Sequence, residues 1–251
     1  MNYFEQILLF FVALTANGFS AFAGGGAGLL QLPALIFLGL PFRMALATHK
    51  IASVFLGIGA TARNSKENTL ALRFSLFILL CGLPGVILGA NFILKIDDEI
   101  SRISLGYLTL LLGLYSFFRP RLGLKSQHKR RNPAGYAVGG GVIFLIGILN
   151  GSLTSGTGLF VTLWLVSWFG MDYKSAVAYT LVLVGLFWNG SGAVTLAILG
   201  DVKWFWLPAL IAGSLIGGFT GAHLAIKYGS RWIKRFYETV TITVGIKLII
   251  G

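Results

Sequence analysis

The stretch GFSAFAGGGAGLLQLPALIFLGLPFRMALATHK, residues 18–50, decides how this chain folds. It is apolar on both sides of a cluster of glycines at positions 24, 25, 26 and 28. The apolar segment that contains them, 7–40, would run roughly 50 Å as one helix at 1.5 Å per residue. That is too long for one crossing of a hydrocarbon core ~30 Å thick. The glycines therefore break it, either into two short helices that return to one side or into one interrupted crossing.

Outward from this stretch the chain stays apolar. Of 251 residues 56% are hydrophobic and 11% charged, with a mean hydropathy of +0.82. A soluble fold of this length covers its core with far more charge. Apolar segments fall at about 7–22, 28–40, 43–62, 72–94, 102–118, 135–153, 158–170, 174–199, 204–226 and 232–250. Several approach the ~20 residues that span a bilayer as helix. The expected fold class is an all-α polytopic membrane protein without a soluble domain. The 34 glycines fit close contact between such helices. The net charge of +12 sits in short loops between apolar segments, a membrane-topology pattern rather than a nucleic-acid footprint. The single cysteine, Cys81, excludes an intrachain disulfide and a cysteine-rich metal site. The N-terminus has no basic leader region and reads as the start of the first membrane segment.

The segment 119–133 carries six cations and no acid, and divides the chain into a first membrane repeat (1–118), a basic linker and a second repeat (134–251). Gly26-Ala27-Gly28-Leu29 and Gly156-Thr157-Gly158-Leu159 each precede a short apolar stretch. Thr48 matches Thr180, the Gly85-x-x-x-Gly89-Ala90 run matches Gly217-x-x-x-Gly221-Ala222, and Lys95 matches Lys227. With the linker in the cytoplasm, Arg63, Lys66, Arg73, Lys174, Lys227, Arg231, Lys234 and Arg235 all fall inside if each glycine-broken segment is a hairpin. Each half is then a hairpin plus three transmembrane helices. The odd number of crossings inverts the second half, and both termini lie outside.

These residues also resemble a known family. The run at 18–50 and the run GILNGSLTSGTGLFVTLWLVSWFGMDYKSAVAYT at 147–180 are similar to the two signatures of the sulfite exporter TauE/SafE family, and the LGDVKW segment at 199–204 fits it as well. The resemblance implies a transporter of sulfite, sulfonates or related sulfur-containing anions in the cell membrane. The second hairpin departs from the pattern, reading Ser155-Gly156-Thr157-Gly158 in place of three consecutive glycines.

The residues themselves point to an anion site. A helix that begins inside the membrane carries roughly half a positive charge at its N-terminus, and glycine lets a ligand approach the backbone there. The candidate substrate-binding set is Gly25, Gly26, Ala27, Gly28, Thr154, Ser155, Gly156, Thr157 and Gly158, with Thr48, Thr180 and Lys50. Lys50 is either a functional buried charge or a cation that snorkels to the interface. His49 is a weaker candidate; His128 and His223 read as solvated or structural. Asn17, Asn150 and Asn189 either line the pathway or join helices. Gly85, Gly89, Gly217 and Gly221 read as helix-packing positions, and Trp204 and Trp206 as interface anchors. All eight acids map at or near segment ends, which favours an anion or neutral solute over a cation. No GxxxxGK[ST] or HExxH motif is present, so neither a nucleotide-driven pump nor a zinc hydrolase is expected. The expectation is a secondary transporter without metal or cofactor, partnered by a small anionic solute and the lipid bilayer. An anion channel and an intramembrane enzyme are the competing classes.

Overall fold

The structure, a computed structural model, describes residues 3–67, 70–92, 98–127, 129–153 and 156–250. Among them the chain forms helices and turns and no strand. The first half contains α1 (Tyr3–Ala23), α2 (Ala27–Phe37), α3 (Phe42–Asn64), α4 (Leu72–Phe92) and α5 (Asp98–Phe117). The second contains α6 (Pro133–Ser152), α7 (Thr157–Ser167) and α8 (Tyr173–Leu199), followed by a helical run, Leu207–Ile250. Gly229, at φ 74 and ψ 179, breaks that run into α9 (207–228) and α10 (230–250). Each half therefore repeats one order: a long helix, an 11-residue helix, then three long helices.

Local sequence sets the starts of these helices. Asn132 caps α6, accepting from the Gly135 N–H at 2.8 Å, and Pro133 occupies the first turn, where its missing N–H costs nothing. Asp172 caps α8, accepting from the N–H and hydroxyl of Ser175 at 2.9 and 2.8 Å. The two short helices differ. Gly26 and Gly156 precede them in the left-handed conformation, at φ 97 and φ 75, and have no side chain with which to cap.

Long apolar side chains such as Leu80, Leu111, Leu145, Val194 and Ile198 are exposed around the bundle. In a bilayer they face lipid, and among the described residues six helical runs, with α9 and α10 counted as one, are long and apolar enough to cross it. The protein is an all-α polytopic membrane protein.

Lipid is as apolar as leucine, so the helices are held by close packing and polar contacts. The glycines supply the closest approaches. A Cβ at Gly213, Gly217 or Gly221 of α9 would meet the α1 backbone near Phe10, Leu14 and Gly18 respectively. Numbers rise together, so α1 and α9 run parallel. Gly82, Gly85 and Gly89 of α4 meet Gly147 and Phe144–Ile148 of α6, while Gly151 meets Val86, again in parallel. By contrast, Lys50, Val54 and Gly57 of α3 lie against Gly192, Gly190 and Gly185 of α8, and Leu110, Gly113 and Ser116 of α5 lie against Gly245, Thr241 and Lys234 of α10. Those two pairs are antiparallel.

The 119–133 segment is folded rather than extended. Gln127 and Lys129 donate backbone N–H groups to Gly170 and Phe169, and Tyr173 donates to Gly123. Two expectations need correction. Trp206 is buried in the cluster that contains Leu9 and Leu210, while Trp204 stays exposed. Glu238 is not near a helix end: it lies inside α10, paired with Lys234 and accepting from Ser116 at 2.9 Å. The i,i+4 spacing of Lys234 and Glu238 neutralises both charges locally.

At the linker end Arg63 and Lys174 donate to Glu67 at 3.2 and 3.3 Å, tying the end of α3 to the start of α8. The Arg63 hydrogen bond, then that of Lys174, holds the Glu67 carboxyl below the usual carboxylate range. A carboxyl depressed in the folded state adds stability above its unfolded pKa and loses it as pH falls through the folded value. Thermal stability is thus expected to decline as pH falls through and below the ordinary glutamate range, and Glu67→Gln to flatten that decline. Melting curves of both proteins across that range check it.

Candidate functional site

Where the two broken hairpins meet, their backbones touch. A Cβ at Gly25 would stand 2.5 Å from the Cα of Gly158 and 2.8 Å from the Leu159 nitrogen. Gly25 also sits at φ 132, which L side chains rarely adopt. Beside this contact is a cavity of about 40 Å³, room for two or three waters. The first turns of α2 and α7 line it with Ala27, Gly28, Thr157 and Gly158, together with Gly25 and Gly26. Two helix N-termini thus aim at one space, and no carboxylate is among the lining residues.

Three other elements complete the walls. Ser20 comes from α1 and Asn150 from α6; they stand 130 positions apart, as do Gly26 and Gly156. From α3 come His49, Ser53 and Leu56, at i, i+4 and i+7 on one helical face. From α8 come Thr180, Leu181, Val184, Gly185 and Asn189. The α8 stretch Thr180–Trp188 is wound as a π-helix, a rare form that concentrates at functional sites. It widens α8 where α8 faces the cavity.

The polar groups form chains with assignable direction. Lys50 is fully buried, and its Nζ donates to the backbone oxygen and Oδ1 of Asn150 at 2.7 and 2.9 Å. Asn150 Nδ2 then donates to Thr157 Oγ1 at 2.8 Å. A buried lysine nitrogen is so connected, through one amide, to the first turn of α7. The Gln31 oxygen only accepts, so His49 Nδ1, 3.1 Å away, carries the proton of the neutral ring. His49 Nε2 then accepts from the Ser53 hydroxyl at 3.2 Å. Gln31 also accepts from Asn17 Nδ2, which lies 2.9 Å from Ser214 Oγ on α9. The Thr162 hydroxyl lies 2.6 Å from the Gly24 carbonyl and 2.9 Å from the Thr180 hydroxyl, either of which can accept its one hydrogen. Asn189 Oδ1 is buried without a hydrogen-bond partner.

The structure brings Gly25, Gly26, Ala27, Gly28, Thr157, Gly158 and Thr180 of the candidate set to one cavity. It does not bring Thr48 there. That hydroxyl donates to Met44 and accepts from the Lys203 N–H, at 2.7 and 3.0 Å. Successive helix residues point about 100° apart, so with His49 on the cavity, Thr48 and Lys50 turn to either side. Lys50 does not snorkel; it reaches the cavity only through Asn150, and Gly192 makes room for it. Gly156 starts α7 without lining the cavity, and Thr154 and Ser155 lie outside the described residues. Gly85, Gly89, Gly217 and Gly221 are helix contacts. His223 accepts from Arg63 at 3.0 Å, far along α9, and His128 lies outside the described residues. Ser20 and Ser53 were not candidates by sequence. The 130-residue offset from Asn150 and the i+4 relation to His49 are the signals that single them out.

Long membrane helices closed around a small polar cavity at two broken hairpins define a class, the polytopic membrane transporters. Comparison with known proteins agrees. The chain belongs to the sulfite exporter TauE/SafE family, whose model matches residues 9–248. It is 30% identical to a probable membrane transporter protein of Haemophilus influenzae, over 96% of this chain and 93% of that one. It is 28% identical to probable membrane transporter protein ORF9 of a Sinorhizobium species, over 98% and 93% of the two chains. It is also 28% identical to probable membrane transporter protein YfcA of Escherichia coli, over 96% and 88%. The family and these relatives are membrane transporters rather than enzymes, and this chain is a multi-pass membrane transporter.

Proposed function

We propose that the chain is a secondary transporter of a small sulfur-containing anion, sulfite or a sulfonate, in the cytoplasmic membrane, and that the cavity between the hairpins is its substrate site. The observation that carries this reading is the convergence of the α2 and α7 N-termini on a carboxylate-free cavity, one amide away from a buried lysine. Positive backbone ends and an ammonium suit an anion. The partnerless Asn189 oxygen suits a hydrogen on that anion, so a hydrogen sulfite fits better than a fully deprotonated sulfate.

Alternating access follows from an inverted repeat. Support comes from the matched helix orders of the two halves and from the antiparallel packing of α3 on its counterpart α8 and of α5 on α10. The linker end gathers Arg63, Lys174 and the cations of 119–133, which supports a cytoplasmic linker and external termini.

The test is flux of labelled sulfite, sulfate, thiosulfate, a small sulfonate and an amino acid into liposomes that hold the purified protein. Saturable flux of sulfite, with counterflow and with sulfate excluded, is the expected result. Unitary currents would replace the carrier with a channel, and amino-acid flux alone would overturn the anion reading.

A further inference from the structure

At the linker end, away from the substrate cavity, lies a second recess of about 590 Å³. Its lining includes Arg119, Arg121, Lys125, Lys129 and Arg130 and contains no carboxylate. None of the ion pairs among the described residues involves these five cations. The nearby acids are committed elsewhere: Asp172 caps α8, and Glu238 pairs with Lys234. The recess is held in shape. The N–H groups of Gln127 and Lys129 are fixed on the turn that follows α7 at 2.7 and 2.9 Å, and Gly123, at φ 67, turns the chain so that its carbonyl meets Tyr173.

An apolar groove of about 530 Å³ opens from the same place. It shares Tyr115, Arg130 and Ser167 with the recess and continues into the membrane between α5, α6 and α7. Leu112, Ile146, Phe160 and Leu163 form its walls. Trp164 and Trp168 stack at 5.0 Å along it, each indole N–H spent on an α6 carbonyl. Arg130 lies 4.3 Å over the Trp168 ring, at the junction of basic recess and apolar groove.

A free anion would use the recess and leave the groove unexplained. A hydrocarbon would use the groove and leave five unneutralised cations. One ligand class has an anionic head joined to an apolar tail, and basic pockets between membrane helices hold such heads. We propose that recess and groove together form a specific site for an anionic phospholipid, with its phosphate among Arg119, Arg121 and Lys125 and one acyl chain along Trp164 and Trp168.

The test uses the full chain in phosphatidylcholine vesicles that contain a small, equal fraction of either phosphatidylglycerol or phosphatidylcholine with brominated acyl chains, which quench nearby tryptophan. Brominated phosphatidylglycerol is expected to quench more strongly, and Trp164→Phe/Trp168→Phe to remove most of the excess. In Arg119→Gln/Arg121→Gln/Lys125→Gln the apparent affinity falls roughly fivefold per cation. Those side chains are exposed, so the variant keeps its melting temperature in phosphatidylcholine. Inorganic phosphate leaves the quenching unchanged. Equal quenching by the two lipids, an excess that survives the triple variant, or displacement by phosphate would each overturn the proposal.

Discussion

Lys50→Met is expected to slow anion flux at least roughly tenfold while leaving the protein folded. The lysine is completely buried, and its ammonium is met by two oxygens of one asparagine rather than by a carboxylate. Such a charge costs several kcal/mol to hold in a membrane interior, and an uncharged side chain of similar length relieves that cost. The Asn150 oxygens lose their donor, at about 1–3 kcal/mol, so the two effects offset and the melting temperature moves by only a few degrees. Function has no such compensation. Asn150 passes the polarisation of Lys50 to Thr157 at the mouth of α7, and a hydrogen bond to a charged group is worth about 1.5–3 kcal/mol. Losing it slows flux roughly 10- to 100-fold, before counting the longer-range attraction of the cation for the anion. Lys50→Arg is not a rescue. A Cβ at Gly192 would already lie 3.0 Å from Lys50 Nζ, so the broader guanidinium meets α8. Flux and melting curves of both variants decide the matter; full flux in Lys50→Met would remove the lysine from the mechanism.

Gly25→Ala is expected to lower the melting temperature by roughly 10 °C and to stop transport. Two costs add. At φ 132 an L side chain is strained by about 1–3 kcal/mol, and its Cβ lands on the Gly158 backbone, which has no flexible end to yield. Two other glycines separate these costs. Gly39 has φ 96 and nothing within 4 Å of a Cβ, so Gly39→Ala carries the strain alone, about 1–2 kcal/mol. Gly141 is helical with open space around it, so Gly141→Ala is neutral or stabilising by up to about 1 kcal/mol. The order Gly25 > Gly39 > Gly141 in lost stability is the expected outcome. If Gly25→Ala were no worse than Gly39→Ala, the tips of the hairpins would not meet as described.

The bundle was legible in the sequence because its causes are local. A run of apolar residues must be helical in hydrocarbon, where every backbone polar group needs an internal partner. Glycines 24–26, and Gly156 with Gly158, interrupt such runs, and the structure starts α2 and α7 right after Gly26 and Gly156. Both helix-packing glycine pairs could be read the same way.

What the tertiary structure alone decided is how each helix is rotated about its axis and which distant residue each polar group meets. His49, not its neighbours Thr48 and Lys50, faces the cavity, because the packing of α3 on α8 and α9 sets its rotation. Asn150 is 100 positions from Lys50, and no pattern near either residue announces the pair. The π-wound turn of α8 has no signature in Thr180–Trp188, an apolar run that reads as ordinary helix. Sequence sets where helices form, since hydrophobicity and backbone freedom act residue by residue. The site arises only when several helices bring one face each to the same point.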